Sequence, residues 1–169
     1  CFDTETKESK VIFKNTIFNN RHHQQMVGNL NGFLIFTGDN DKIWGTNAHP
    51  NFYTMNDNGE LTLLCESDRS FYDMNSYEDR ITICLSDRHG FNLEELKADG
   101  SWNKVTDWKG NISSFDFNGE NYLFTGRGSK QWDELYCVDK DGNITQVSHF
   151  NDALMKDRYV GEPEYLCVP

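Results

Sequence analysis

Apolar and polar residues alternate along this chain in short runs bounded by turns rich in Asn, Asp and Gly. Phe-Leu-Ile-Phe-Thr at 33–37, Ile-Thr-Ile-Cys-Leu at 81–85 and Tyr-Leu-Phe-Thr at 122–125 are β-branched and aromatic runs of strand length, which predict buried β-strands. Turns centred on Gly59, Gly100 and Gly142 recur 41 and 42 residues apart, each with Asn or Asp immediately before the glycine. That dipeptide between alternating apolar residues predicts a tight hairpin in which both turn positions accept positive φ. Phe52, Leu93 and Leu135 keep the same intervals upstream of the turns. The chain is therefore a repeat, and the repeat decides the fold.

Each unit holds four expected strands: 25–30, 33–38, 52–56 and 61–66; then 71–74, 80–87, 92–98 and 102–107; then 112–117, 122–127, 134–140 and 144–149. Four-stranded units at this period are the signature of a β-propeller, whose blades bury their apolar faces only against neighbouring blades. The expected fold is all-β: a partial β-propeller of three complete four-stranded antiparallel blades plus two strands of a preceding blade. Cys1-Phe2-Asp3 stands in that earlier blade for Cys137-Val138-Asp139, and Val11-Ile12-Phe13 for the strand that follows. Residues 1–169 form a single domain with units at about 1–15, 24–67, 70–107 and 112–149 and an exit segment at 153–169. One helical turn is expected at 151–157, capped by Asn151 or Asp152.

The chain has 169 residues, 37% of them hydrophobic, with 16 Lys and Arg against 27 Asp and Glu and a formal charge of −11. No window approaches the roughly 18 apolar residues of a membrane span, so a membrane is not an expected partner. The acidic balance and the scattered Lys and Arg repel phosphates, which argues against nucleic acid. Five widely spaced cysteines without a C-x-x-C pair read as reduced thiols of a cytoplasmic protein. The start lacks an initiator Met, a basic region and an apolar core, and so reads as a piece of something longer rather than as a signal peptide. Closed propellers use about 4–8 blades, so three and a half predict self-association through the ends of the arc, as a two-fold dimer. The alternative is a monomeric four-bladed ring closed by residues 159–168, in which Pro163 makes a poor central strand.

Candidate chemistry is sparse. His22-His23 point to opposite faces of a strand with no ligand at spacing nearby. Asp139-Lys140-Asp141-Gly142-Asn143 carries half of a calcium loop, lacks its remaining ligands, and reads as a hairpin turn. Cys84 and Cys137 lie in expected strands with no base beside them. The glycosylation patterns at Asn111 and Asn143 are short and follow Gly-Asn pairs of turn type. No catalytic, cofactor-binding or metal residue is assigned, and no cofactor is expected. Trp44, Trp102, Trp108 and Trp132 read as blade packing, although two lie in or near the long loops 39–51 and 126–133, which are the best places for specific contacts.

The run Asp133-Glu134-Leu135-Tyr136-Cys137-Val138-Asp139-Lys140-Asp141-Gly142, then Ile144-Thr145-Gln146-Val147-Ser148-His149-Phe150-Asn151-Asp152, then Gly161-Glu162-Pro163-Glu164 resembles the last blade and exit of the N-terminal propeller of the prolyl oligopeptidase family, especially its acylaminoacyl-peptidase and dipeptidyl-peptidase-like branch. Ser-Asp-Arg at 86–88 and Thr-Gly-Arg at 125–127 resemble that family's second strands. The resemblance implies a non-catalytic, substrate-gating part of a cytoplasmic serine peptidase acting on short or N-acylated peptides, with a C-terminal α/β-hydrolase domain as its partner. The chain holds no G-x-S-x-G elbow, so it should hydrolyse nothing by itself. Asp87, Arg88, Arg127 and Trp132 are the candidate substrate contacts. The alternative is a stand-alone propeller of TolB or WD-repeat kind that binds a protein or small ligand. A glycan-processing propeller would need clustered His and carboxylates on the first strands, which supply only Asp73 and Asp116.

Overall fold

The computed structural model describes residues 2–11, 26–30, 33–39, 50–56, 58–87, 90–128, 132–158 and 161. Three four-stranded antiparallel sheets follow one another along the chain, each a simple meander. The first is β1 (Met26–Leu30), β2 (Phe33–Asp39), β3 (Pro50–Met55) and β4 (Leu61–Glu66). The second is β5 (Phe71–Tyr77), β6 (Arg80–Asp87), β7 (Gly90–Leu96) and β8 (Trp102–Lys104). The third is β9 (Gly110–Phe117), β10 (Tyr122–Gly128), β11 (Glu134–Val138) and β12 (Ile144–Gln146). In every sheet the inner pair carries a bulge, which adds twist where the blade turns towards the axis.

The middle blade shows why these residues form these strands. Ile81, Ile83, Leu85 and Leu96 face the first blade and pack with Leu30 and Phe52. Cys84 and Leu93 face the third blade and pack with Ile112, Phe115, Phe117, Tyr122, Phe124, Tyr136 and Val138. β6 is therefore buried on both faces and reads as an unbroken apolar run rather than an alternating one. Each large side chain buried in these two layers contributes about 1.5–3 kcal/mol, and the layers tie each blade to its neighbour. Trp102 meets Phe52 edge to face at 5.4 Å, and Trp108 lies 5.3 Å from Phe124 and 4.7 Å from Tyr136. Both tryptophans do the packing expected of them. Trp44 and the His22-His23 pair lie outside the described residues.

The three hairpin turns are the same object, with one correction to the expectation. Gly59, Gly100 and Gly142 have φ of 80°, 82° and 82°, and their N–H groups donate to Asn56, Lys97 and Asp139 carbonyls respectively. The described residues with positive φ other than glycine are Lys7 and Glu78, so Asp99 and Asp141 are not among them. The turns are type I followed by a left-handed glycine, the three-residue hairpin loop, rather than the two-residue loop with two positive φ values.

β8 and β12 end earlier than the expected 102–107 and 144–149, and for one reason. Val105 and Thr106 both donate to the Leu93 carbonyl, and Val147 and Ser148 both donate to the Leu135 carbonyl. Two residues opposite one form a bulge, which stops the ladder. The N-terminal segment pairs through one antiparallel bridge, Phe2 with Ser9, around a turn whose Asp3 carboxylate accepts the Glu5 and Thr6 N–H groups. Ile12 and Phe13, expected in its second strand, lie outside the described residues. The expected helical turn is α1 (Asp152–Met155), with Asn151 at its start. Asn151 makes no capping hydrogen bond; its amide donates instead to the Asp133 carbonyl at 2.9 Å.

Candidate functional site

The rim where β6 meets β7 and β10 meets β11 gathers the residues singled out in the sequence. Asp87 ends β6 opposite Gly90, is exposed, and accepts a hydrogen bond from the Asn92 amide at 2.5 Å. Gly90 lies so close to the inner strand of the next blade that a Cβ on it would stand 1.8 Å from the Gly110 carbonyl oxygen. Gly110 pairs in turn with Gly128, and Asn111 with Arg127. The two candidates thus sit on one rim, on neighbouring blades, with the Gly90–Gly110 contact between them. Arg88 lies outside the described residues.

Arg127 donates to the Asp133 carboxylate at 2.8 Å and lies over the Trp132 ring at 5.5 Å. Both partners of that ion pair are about half exposed, so water screens it and it contributes little to stability. Its effect is local: it closes the mouth of the β10–β11 loop and presents the Trp132 face, 53% exposed, at the rim. Trp132 is therefore not core, unlike Trp102 and Trp108.

Beside it lies a cavity of about 530 Å³ lined by Trp132, Glu134, Asn151, Asp152, Ala153, Met155 and Lys156. Glu134 holds its shape. Its Oε2 accepts from the Ser148 hydroxyl and from the Phe150 N–H at 3.1 Å, and its Oε1 from the Asn151 N–H at 2.7 Å. These donors, the Ser148 hydroxyl first among them, hold the Glu134 carboxyl below its ordinary pKa. The Trp132 indole and the Asp152 and Lys156 side chains stand around this open concavity, and Glu134, buried at its base, is occupied in holding the 148–151 segment.

A second cluster, absent from the sequence reading, sits on the opposite rim between the second and third blades. Buried Glu95 accepts from Lys97 at 2.5 Å, Arg80 at 3.0 Å and the Tyr122 hydroxyl at 3.0 Å. The same hydroxyl meets Thr82 Oγ1 at 2.7 Å. Burial pushes Glu95 up, and the Lys97 and Tyr122 hydrogen bonds with the Arg80 charge outweigh it, leaving its pKa below the ordinary value. Burial, with the Glu95 charge beside it, raises Tyr122. Arg80 also lies 4.5 Å over the Phe117 ring. Arg80, Glu95, Phe117 and Tyr122 line a cavity of about 580 Å³ together with Lys104, Glu120 and Lys140. The signal available in the sequence was the pair Glu94-Glu95 inside a strand, where one carboxylate must face each side. Glu94 is held by Arg69 at 2.5 and 2.8 Å.

At two of the described cysteines burial works against the thiolate. Burial pushes the Cys65 thiol up to about 11 and the Cys84 thiol up to about 12, and no group of three His, Cys, Asp or Glu among these residues is placed to hold a metal. No described helix is long and apolar enough to cross a membrane.

No family model and no curated protein matches the sequence. Solved structures do. An uncomplexed acylaminoacyl peptidase of Pyrococcus horikoshii is 20% identical over 75% of this chain, with a TM-score of 0.58. The β-propeller domain of the Trilobed protease from Pyrococcus furiosus, described as having an open velcro topology, is 20% identical over 80%, with a TM-score of 0.57. A puromycin hydrolase is 16% identical over 73%, with a TM-score of 0.54. The chain spans 20% of the length of the acylaminoacyl peptidase and puromycin hydrolase chains and 40% of the Trilobed protease propeller. At this identity the likeness carries the fold, and the fold is a stretch of β-propeller of the kind these peptidases contain.

Proposed function

We propose that this chain is the non-catalytic, substrate-gating part of the propeller of a cytoplasmic serine peptidase that acts on short or N-acylated peptides. The observation that carries the reading is the rim: Arg127, Trp132 and Asp133 at the mouth of a loop, beside a cavity of about 530 Å³. Likeness in fold to propellers of acylaminoacyl peptidase and Trilobed protease supports it. A C-terminal α/β-hydrolase domain supplies the chemistry in this reading, and the rim filters peptides on their way to it. Asp87, Arg88, Arg127 and Trp132 are the proposed substrate contacts. Self-association through the ends of the arc, as a two-fold dimer, belongs to the same reading.

The test is to express the full reading frame that contains the chain and assay it on acyl-amino-acid p-nitroanilides and on peptides of increasing length, with and without a serine-directed inhibitor. Inhibitor-sensitive release is expected, with Trp132→Ala and Arg127→Ala changing the dependence on peptide length more than turnover of the smallest substrate. A frame without hydrolase activity would replace this reading with a TolB-like or WD-repeat-like binding propeller.

A further inference from the structure

Tyr72 stands on the same rim as Trp132, on the seam between the second and third blades. In β5 it is the extra residue of the bulge, set between the pairs Phe71–Leu85 and Asp73–Cys84, and a bulge re-aims the side chain it carries. Phe71 and Met74 pack towards the first blade. The Tyr72 ring instead rests on the Phe91 ring, 5.5 Å between centroids, and Phe91 packs against the cluster of the third blade. Tyr72 is 59% exposed although a blade stands on either side of this seam, so its exposure belongs to the rim itself. The same place in the inner strands of the first and third blades is held by Val27 and Ser113; of the three, only the middle blade puts an aromatic ring there.

The seam beside this ring is backbone. Gly90, next to Phe91 in β7, approaches so closely that a Cβ on it would stand 1.8 Å from the Gly110 carbonyl oxygen. Gly110 pairs in turn with Gly128, the neighbour of Arg127 in β10. From Tyr72 to Trp132 the rim is a floor of glycines with an exposed aromatic ring at each end, the second ring lying under Arg127.

We propose that Tyr72 is a specificity-determining residue of this rim, its ring stacking on an aromatic side chain of a peptide laid across the glycine floor. The inference rests on the peptide-filtering reading of the rim and names the side-chain class that the rim selects. Glycines let a peptide backbone approach the floor closely. A ring already braced by Phe91 gives up little freedom when a ligand stacks on it, and its free face accepts a second ring at the 4.5–7 Å separation that aromatic pairs prefer.

The test reads binding without turnover. The product of the full reading frame that contains the chain is treated with a serine-directed inhibitor and titrated, by fluorescence anisotropy, with labelled peptides of equal length and charge. These differ at one position, phenylalanine against glycine, moved along the peptide. Tyr72→Ala is expected to weaken binding of the best phenylalanine peptide about two- to tenfold and to leave the glycine peptide unchanged. Tyr72→Phe should keep the native preference, and Ser113→Ala should alter neither. Urea midpoints of all variants should match the native one, a readout that a packing role for Tyr72 would move. A native protein that binds neither peptide or both equally, or a Tyr72→Ala variant that weakens both alike, overturns the proposal. A Tyr72-dependent preference in a protein that hydrolyses nothing overturns the peptidase reading and leaves the Tyr72 contact in place; inhibitor-sensitive hydrolysis without that preference does the reverse.

Discussion

Asn92 and Glu134 occupy the same place in consecutive blades and hold the same two groups. Asn92 Oδ1 accepts from the Thr106 hydroxyl at 2.9 Å and the Trp108 N–H at 2.6 Å; Glu134 Oε2 accepts from the Ser148 hydroxyl and the Phe150 N–H. Each side chain stands at the head of the third strand and ties down the chain as it leaves the fourth. The Thr106 and Ser148 hydroxyls also accept the Leu93 and Leu135 N–H groups, at 2.9 and 2.8 Å. An amide and a carboxylate thus form one latch, since what it needs is an oxygen accepting two hydrogens at the end of a bulged strand.

Removing the latch frees different segments. Asn92→Ala strands the buried Thr106 hydroxyl and the Trp108 N–H, at about 1–3 kcal/mol for each unsatisfied group, and lowers the urea midpoint of the whole chain. Glu134→Ala acts on the 148–151 exit and on α1, which pack on one side only. Its signature is local: amide exchange at Phe150 and Asn151 speeds up at least about tenfold, while exchange in β6 and β7 hardly changes. Equal acceleration in all three places would mean that the exit does not open independently.

The acid limb of stability should trace the two depressed carboxylates. Glu134 and Glu95 have folded pKa values below the ordinary glutamate value, so each stabilises fully above that value and loses its contribution as pH falls through its folded one. The urea midpoint is expected to stay level from neutral pH to about pH 5 and to fall below it. Glu134→Gln and Glu95→Gln should each flatten that fall. Variants as acid-sensitive as the native chain would place the proton uptake elsewhere, for example at the turn carboxylates Asp99 and Asp139, which are lowered too.

What the sequence disclosed and what it withheld divide along physical lines. Strand positions and blade order follow from local periodicity, and the turns at Gly59, Gly100 and Gly142 from a conformation that favours glycine. Trp132 was legible as a loop residue beside a candidate site. Its cavity was not, because Glu134 and Asn151 meet there only once the exit folds back on the third blade. The Glu95–Tyr122 contact joins residues 27 apart, and no spacing rule links a strand glutamate to a tyrosine of the next blade. The Glu94-Glu95 pair tells that one carboxylate faces each side of the strand, and only the stacked sheets show which groups meet it.

Tyr122 supplies the sharpest test of that cross-blade contact. Its hydroxyl sits between Thr82 and Glu95 with the ring 4% exposed. Tyr122→Phe keeps the ring in the core and deletes the hydroxyl, for an expected loss of about 1–2 kcal/mol in equilibrium unfolding. In a cycle with Glu95→Gln the two losses should fall short of additive, because the first change removes part of what the second acts on. Strict additivity would mean that hydroxyl and carboxylate do not interact in solution.

Gly100 and Gly142 separate backbone conformation from crowding between blades. Both have φ of 82°, so alanine at either incurs the left-handed penalty of about 1–2 kcal/mol. A Cβ at Gly142 would meet only the Val105 carbonyl oxygen at 3.7 Å, whereas one at Gly100 would stand 2.6 Å from the Leu64 carbonyl oxygen in β4 of the first blade. That neighbour is backbone and cannot rotate away, so Gly100→Ala must also shift the second blade against the first. It is expected to lower the melting temperature clearly more than Gly142→Ala, and Gly100→Asn, which tolerates the backbone conformation better, should recover only part of the difference. Equal losses at the two glycines would show that the turn after β7 does not press on the first blade, and would loosen the packing angle between those blades.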